Sequence, residues 1–139
     1  MPLTPDELDE FLAQPHIAIV ATASPGAVPH AMPIWYLWRD GKLLFHTGES
    51  SKKMRNLRQN NRISVVIDSK TAPYKVAVIE GTTAASPGDA ILAREIAVHY
   101  LGPKFGEEYA SANGDDAGTL VSVTPTKVIS WDYARESNP

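Results

Sequence analysis

The densest group of potentially reactive side chains in this sequence is a basic segment between residues 50 and 67. The segment contains five of the chain's 13 basic residues and no acidic residue: Lys52, Lys53, Arg55, Arg58 and Arg62. If residues 51–60 form a helix, Ser51, Lys52 and Lys53 occupy its first turn, where free backbone N–H groups and the helix dipole favour an anion. Two ammonium groups destabilise that turn unless a negative ligand binds there, and a phosphate group is the simplest such ligand. A solvated basic surface is the alternative interpretation.

A second unusual segment is the run Pro33-Ile34-Trp35-Tyr36-Leu37-Trp38. Because Pro33 has no amide N–H, a strand here leaves backbone groups unpaired, and these could meet the edge of a flat heterocycle flanked by aromatic side chains. For Trp35 or Trp38 taken alone, a place in the core or in a dimer interface is the favoured interpretation.

Several reaction classes are excluded by residues that the sequence lacks. With no cysteine, the chain has no disulfide, zinc thiolate or thiol nucleophile. His30, His46 and His99 show no H-E-x-x-H spacing, so no metal site is predicted. The nucleophile pattern G-x-S-x-G and the dinucleotide pattern G-x-G-x-x-G are both absent. No catalytic residue is therefore identified, and an enzyme of this sequence requires a cofactor for its chemistry.

The composition predicts one globular domain over residues 1–139. The chain carries a net charge of −3, and 43% of its residues are apolar. No apolar run approaches the roughly 18 residues of a membrane span, and residues 1–10 contain four acids and no base, unlike a secretory signal. We expect a cytoplasmic protein without a membrane or nucleic acid partner.

The pattern of turns and apolar residues predicts a mainly β (α+β) protein. A capping box at Thr4 and Glu7 begins a helix over residues 4–14. A helix over 51–60, one from Pro87 to about Leu101 and one from Lys104 to Asn113 follow. Strands are expected near residues 17–20, 28–38, 42–47, 63–67, 74–84 and 119–133, the last interrupted at Pro125. Short connections favour antiparallel pairing, so we predict a six-stranded antiparallel β-barrel with flanking helices.

These segments together resemble the FMN-binding split-barrel superfamily, also called pyridoxamine 5′-phosphate oxidase-like. The most specific stretches are Phe45-His46-Thr47, Ser51-Lys52-Lys53 and Arg55-Asn56-Leu57, which are similar to the aromatic-Thr and Ser-Arg-Lys segments of the oxidases. By that match, Thr47, Ser51, Lys52 and Lys53 would hold a cofactor phosphate and the backbone of Ile34 to Tyr36 would face its ring. Pro33, His46 and Asn56 lie in the same matched stretches and are assigned to cofactor binding with them.

The resemblance also implies a cofactor class and a homodimer. The oxidases have an arginine at the position of Ala31 and a lysine at that of Tyr36, and they end in a different C-terminal motif. The pattern is closer to short members that bind FMN or the deazaflavin coenzyme F-420. Sites in this superfamily lie between two protomers, which would place Tyr74, Trp131 and Tyr133 on the wall of the partner's cofactor site.

Three functional hypotheses follow. The first is an oxidoreductase that transfers hydride between FMN or F-420 and a small-molecule substrate. The second is a non-catalytic flavin-binding carrier or sensor. The third, the weakest, is a nucleic acid patch on the basic segment, for which binding should fall steeply with salt.

Overall fold

The helices and strands are those of a computed structural model that describes residues 1–114 and 116–135. In chain order, the elements are α1 (Pro5–Leu12), β1 (Ala18–Ala23), β2 (Pro29–Ile34), β3 (Leu37–Arg39), β4 (Lys42–Thr47), α2 (Lys52–Gln59), β5 (Arg62–Asp68), β6 (Lys75–Pro87), α3 (Ala90–Asn113), β7 (Thr119–Asp132) and a 3₁₀ turn (Tyr133–Arg135). None of the described helices has the length and apolar character needed to span a membrane.

The strands form one sheet in the order β2-β1-β5-β6-β7-β4-β3, and every neighbouring pair is antiparallel. This α+β split-barrel architecture confirms the predicted fold class. The predicted count of six strands is wrong, because the sheet has seven. The expected strand over 28–38 breaks at Trp35 and Tyr36, and its two parts lie at opposite ends of the strand order.

The core lies on one face of this sheet. Cross-strand partners such as Val20, Val65 and Ile79 are fully buried, as is Phe45 on β4. Side chains alternate between the two faces along each strand, so the residues between these positions lie on the other face. A second, smaller cluster forms where Leu92 and Ile96 of α3 contact Leu37.

Helix α1 begins as predicted and ends early. The Thr4 side chain accepts a hydrogen bond from the Glu7 amide, and the Glu7 carboxylate accepts one from the Thr4 amide. This capping box satisfies amides that have no intrahelical partner. The helix ends at Leu12 with Ala13 as its C-cap, before the predicted end at residue 14.

Helix α3 differs from the two helices predicted for this region. Pro87 is the last residue of β6 and does not open the helix, which begins after the N-cap Asp89. Two helical segments meet at Gly102, whose φ of 85° and ψ of 170° interrupt the helix before Pro103. A left-handed φ suits glycine, because it has no β-carbon.

Pro125 does not interrupt β7, which is continuous over 14 residues. Glu80 of β6 pairs with Lys127, whereas the next residue, Gly81, pairs with Pro125. The extra residue on β7 forms a bulge, which accommodates a proline that cannot donate a ladder hydrogen bond.

Candidate functional site

An apolar cavity of about 450 Å³ lies between the β1–β2 end of the sheet and helix α3. Its lining residues are Ile17, Pro33, Ile34, Trp35, His46, Ala93, Ile96 and Tyr109. Four of them, Pro33, Ile34, Trp35 and His46, belong to the predicted cofactor site. The volume is within the range of small-molecule sites, and a mostly apolar wall with a few polar groups is typical of them.

Trp35 forms one wall of the apolar cavity and is held by two tyrosines. Its ring stacks on Tyr100 with centroids 5.0 Å apart and planes 10° apart. Tyr109 contacts it at a tilt, with centroids 5.3 Å apart. These contacts restrict the indole, so the cavity has an ordered aromatic wall.

Tyr36 lies behind that wall, in the core. Its side chain is 1% exposed, and its hydroxyl donates to the Leu12 carbonyl at 2.9 Å. Its backbone amide donates to the Tyr100 hydroxyl at 3.1 Å, and that hydroxyl donates to the His16 carbonyl at 2.6 Å. Burial raises the pKa of Tyr100 to about 12, so this linking hydroxyl keeps its proton at neutral pH. The Tyr36 amide is thus used within the chain, while Pro33 and Ile34 border the cavity.

A polar cavity of about 570 Å³ adjoins the apolar one. His46, Ala93 and Tyr109 line both cavities, which therefore adjoin each other. The two cavities together are called the groove below. The other residues of the polar cavity are Thr47, Gly48, Glu49, Ser50, Asn113, Asp116, Ala117 and Gly118. A bound molecule can lie with a flat apolar part against Trp35 and a polar part beside Thr47.

The polar cavity borders the N-terminus of α2. Ser51 is the N-cap: its hydroxyl accepts a hydrogen bond from the Met54 amide at 3.1 Å and lies 2.9 Å from the Thr47 hydroxyl. Lys52 and Lys53 form the first turn, which contains no acidic residue. No carboxylate of the described residues lies within ion-pair distance of either lysine. Both lysines lie beyond the cavity linings, so they would meet only a ligand that extends past Thr47.

His46 lies at the junction of the two cavities. Its Nε2 accepts a hydrogen bond from the Asp89 amide at 3.0 Å, which places the proton of the neutral ring on Nδ1. Nδ1 is buried and has no hydrogen-bond partner among the described residues. Burial lowers the pKa of His46, partly offset by the Asp89 carboxylate, so the ring is neutral at pH 7.

The partial burial of His16 and His46 predicts that the protein loses stability in acid. Burial also lowers the pKa of His16, so both rings take up protons more readily in the unfolded chain. Stability should therefore fall as pH drops below the unfolded histidine value of about 6.5. Urea unfolding from pH 7.5 to 5 measures the slope. His46→Gln should reduce the slope, and an identical slope in this variant would contradict a depressed pKa at His46.

Three other predicted site residues lie away from this groove. Asn56 is buried and donates to the Thr22 hydroxyl at 3.0 Å, which joins α2 to β1. Trp131 lies near the end of β7 and packs edge-on against Tyr133, with ring centroids 6.3 Å apart. Tyr74 is half exposed, and its carbonyl accepts from the Tyr133 amide at 3.0 Å. Within this protomer these aromatic residues form a separate surface.

Sequence reasoning missed four of the residues that line the apolar cavity: Ile17, Ala93, Ile96 and Tyr109. Ile17, Ala93 and Ile96 have the pattern of ordinary core positions. Tyr109 reaches the cavity only because α3 changes direction at Gly102. The Gly102-Pro103 pair was the available signal for that change. In the described part of the chain, no cluster of three or more His, Asp or Glu side chains could hold a metal ion.

Comparison with known proteins identifies one family model, described as pyridoxamine 5′-phosphate oxidase, which matches residues 4–132. No curated protein matches the chain in sequence.

Three solved structures illustrate the similarity of this fold to known proteins. A conserved hypothetical protein of Mycobacterium tuberculosis, Rv2991, is 22% identical with a TM-score of 0.76, covering 94% of this chain and 86% of that one. A structure named F420 reductase is 21% identical with a TM-score of 0.75, covering 87% and 94%. An FAD-binding protein of Mesorhizobium loti is 22% identical with a TM-score of 0.64, covering 94% and 93%. Identities of this size support the fold and do not by themselves assign a ligand.

Proposed function

Because the chain belongs to the pyridoxamine 5′-phosphate oxidase family, we propose that it is an oxidoreductase that binds a flavin-type cofactor, FMN or coenzyme F-420. It transfers hydride between that cofactor and a small organic substrate. The observation that carries this proposal is the groove of two adjoining cavities, which runs from the Trp35 wall to Thr47, whose hydroxyl lies 2.9 Å from that of Ser51. Its apolar part suits a flat ring system, and its polar end lies beside a helix N-terminus that favours a phosphate.

The residues of the groove fit such a cofactor. Gly48 borders the polar cavity, and a β-carbon placed there would meet no atom within 4 Å, so the backbone is open to a ligand. Thr47 and Ser51 share a hydrogen bond, and the hydroxyl that accepts it can donate its own proton to a phosphate oxygen. The ammonium groups of Lys52 and Lys53 can neutralise the phosphate charge. The cofactor supplies the electron-transfer chemistry, while the chain positions it and excludes water.

The alternative proposal is a flavin-binding carrier or sensor without turnover. A fluorescence titration of the purified protein with FMN and with F-420 side by side tests binding and chooses between the cofactors. Adding the reduced cofactor and a panel of electron acceptors then tests turnover. Tight binding of a cofactor that no acceptor reoxidises faster than in free solution would favour the carrier. Failure to bind either cofactor would contradict both forms of the proposal.

We also propose a homodimer in which a second copy covers the face of the sheet opposite the core. Cross-strand pairing places Pro33, Ile19, Val66, Val78 and Ile129 in one row across five strands. Paired residues share a face, so this row is continuous and apolar. Ile19, Val66 and Ile129 are 37%, 38% and 50% exposed in the single chain. An exposed apolar row of this length favours an interface.

The same register supports the predicted role of the C-terminal aromatic residues. Val76 and Trp131 pair directly and occupy the next row on this face, at the end of the sheet where Ile17 precedes β1. Ile17 also lines the apolar cavity. A partner that covers this face with its twofold axis along the strands would bring its own Trp131 towards that end.

A charge placed in the apolar row should separate the proposed dimer. Ile129→Lys would bury an unpaired ammonium group in the interface, which strongly opposes association. Sedimentation equilibrium should then give the mass of a monomer and the cofactor should bind less tightly. Ile91→Lys is the matched control, since Ile91 is 82% exposed on α3. A wild-type monomer, or an Ile129→Lys variant that stays dimeric, would contradict this interface.

A further inference from the structure

Only two titratable side chains line the described wall of the apolar cavity, those of His46 and Tyr109. Any ligand held there that accepts a hydrogen bond from an ionisable group must therefore use one of these two. Their surroundings differ in a way that separates their roles.

The His46 ring has no donor available to the cavity. Its Nε2 is occupied by the Asp89 amide, and its Nδ1 has almost no solvent-accessible surface. Asp89 is itself held in place as the N-cap of α3, because its carboxylate accepts from the amides of Ile91 and Leu92. His46 thus has a structural role, because its hydrogen bond with the Asp89 amide joins β4 to the start of α3.

The Tyr109 hydroxyl, by contrast, can donate to a ligand without breaking a hydrogen bond to any residue that the structure describes. The side chain is half exposed, lines both cavities and makes no side-chain hydrogen bond with residues 1–114 or 116–135. Its ring rests against Trp35. A phenol hydroxyl at the junction of the two cavities can donate to a molecule in either of them.

The fold holds Tyr109 in this position. After the interruption at Gly102, the second segment of α3 packs closely against the first at Gly106. A β-carbon at Gly106 would overlap the Val98 backbone, so the two segments are in direct backbone contact. The contact and the Trp35 ring together fix the direction from which the phenol reaches the cavity.

The charges around the groove limit what the phenol can bind. The apolar cavity has no Asp, Glu, Lys or Arg side chain among the described residues of its lining, and its His46 ring is neutral. A carboxylate substrate would lose its hydration there without gaining a counter-charge. A neutral carbonyl oxygen accepts a hydrogen bond without that cost.

We infer that Tyr109 binds the substrate of the proposed oxidoreductase, and that this substrate is a flat, uncharged carbonyl compound. The hydrocarbon part stacks on the proposed cofactor ring, which lies between it and Trp35, and the Tyr109 hydroxyl donates to the carbonyl oxygen. In the reduction, the carbonyl carbon would gain a hydride from the proposed reduced cofactor, the π electron pair would move to the oxygen, and a solvent proton would complete the alcohol. The Tyr109 hydrogen bond stabilises the negative charge on that oxygen. This inference rests on the proposed function, because it places the substrate beside the proposed cofactor.

A matched pair of ligands tests the inference by binding alone. Acetophenone carries a carbonyl oxygen, and ethylbenzene has nearly the same shape without one. With protein loaded with the oxidised cofactor that it binds better, no turnover occurs, and each affinity follows from the change in cofactor fluorescence. Tyr109→Phe should weaken acetophenone binding about fivefold, the value of one neutral hydrogen bond of about 1 kcal/mol. Ethylbenzene affinity should stay unchanged. Because Tyr109 lines both cavities of the groove, the cofactor affinity of the variant is measured separately, and the protein is saturated with cofactor before either ligand is added.

Phe105→Leu is the matched control on the same helical segment, since Phe105 is exposed and outside both cavity linings. It should leave both affinities unchanged. Equal loss of acetophenone and ethylbenzene in Tyr109→Phe would mean that the ring only fills space, and this would overturn the inference. So would unchanged acetophenone binding, or wild-type protein that binds neither ligand. Failure of the cofactor titration would instead contradict the proposed function, and acetophenone binding to the cofactor-free protein would still test Tyr109.

Discussion

Replacing Gly118 with alanine should destabilise the protein by about 2–5 kcal/mol, the sum of backbone strain and overpacking. Gly118 has a φ of +65°, which costs an L-residue about 1–2 kcal/mol. An alanine β-carbon would also lie 2.5 Å from the Thr47 carbonyl oxygen. Relief of that overlap requires the start of β7 to move away from the end of β4, where the two strands pair at Thr47 and Thr119.

Gly114 provides the control for this change. Its φ of +67° is almost the same, but a β-carbon there would meet no atom within 4 Å. Gly114→Ala should therefore show only the backbone cost, about 1–3 kcal/mol for a residue at φ +67° and ψ −151°. Urea unfolding of the two variants isolates the contribution of the contact with Thr47. Equal destabilisation would show that the contact has no energetic weight. A cofactor affinity that falls only in Gly118→Ala would connect the contact to the site.

Replacing Lys53 with alanine should weaken cofactor binding by about 1.5–3 kcal/mol, the range for a hydrogen bond to a charged group, or about 10- to 150-fold in the dissociation constant. Lys53 is half buried in the first turn of α2, whereas Lys52 is exposed. In the variant, no ammonium group at position 53 would neutralise the charge of a phosphate bound to the free backbone amides of this turn. Fluorescence titration with the preferred cofactor measures the change.

Arg62→Ala is the control, because Arg62 belongs to the same basic segment but is exposed at the start of β5, outside both cavity linings. It removes the same charge away from the first turn of α2. We expect a much smaller effect on binding, and raised salt should reduce the effect at Lys53. If Lys53→Ala binds as tightly as the wild type, the phosphate must lie elsewhere.

Much of the local structure could be predicted from sequence because its causes are local. The Thr4 and Glu7 capping box and the Ser51 N-cap depend on residues three positions apart. Strands β1 and β5 are rich in β-branched residues, which favour strands wherever they occur. The turn at Asp40 and Gly41 joins two strands that are adjacent in sequence. The family resemblance rested on such short segments, and the match over residues 4–132 confirms it.

The same reasoning failed where a local pattern had two structural solutions. A run with prolines at 29 and 33 and aromatic residues after them fits one bulged strand or two short ones. The burial of Tyr36 favours two strands, because its hydroxyl donates to the Leu12 carbonyl and its backbone amide donates to the Tyr100 hydroxyl. Both partners are distant in sequence, so no local signal distinguished the solutions.

The sequence by itself determined the fold class and the basic first turn of α2, and it led to the proposal of a flavin-type cofactor. Only the tertiary structure decided that Trp35, His46 and Tyr109 meet in one groove and that His46 is held by the Asp89 amide. The physical reason is that α3 is a helix interrupted at Gly102, and the direction of its second segment depends on close packing at Gly106. Residue types and spacing set local conformation, whereas packing between distant segments sets which side chains face each other.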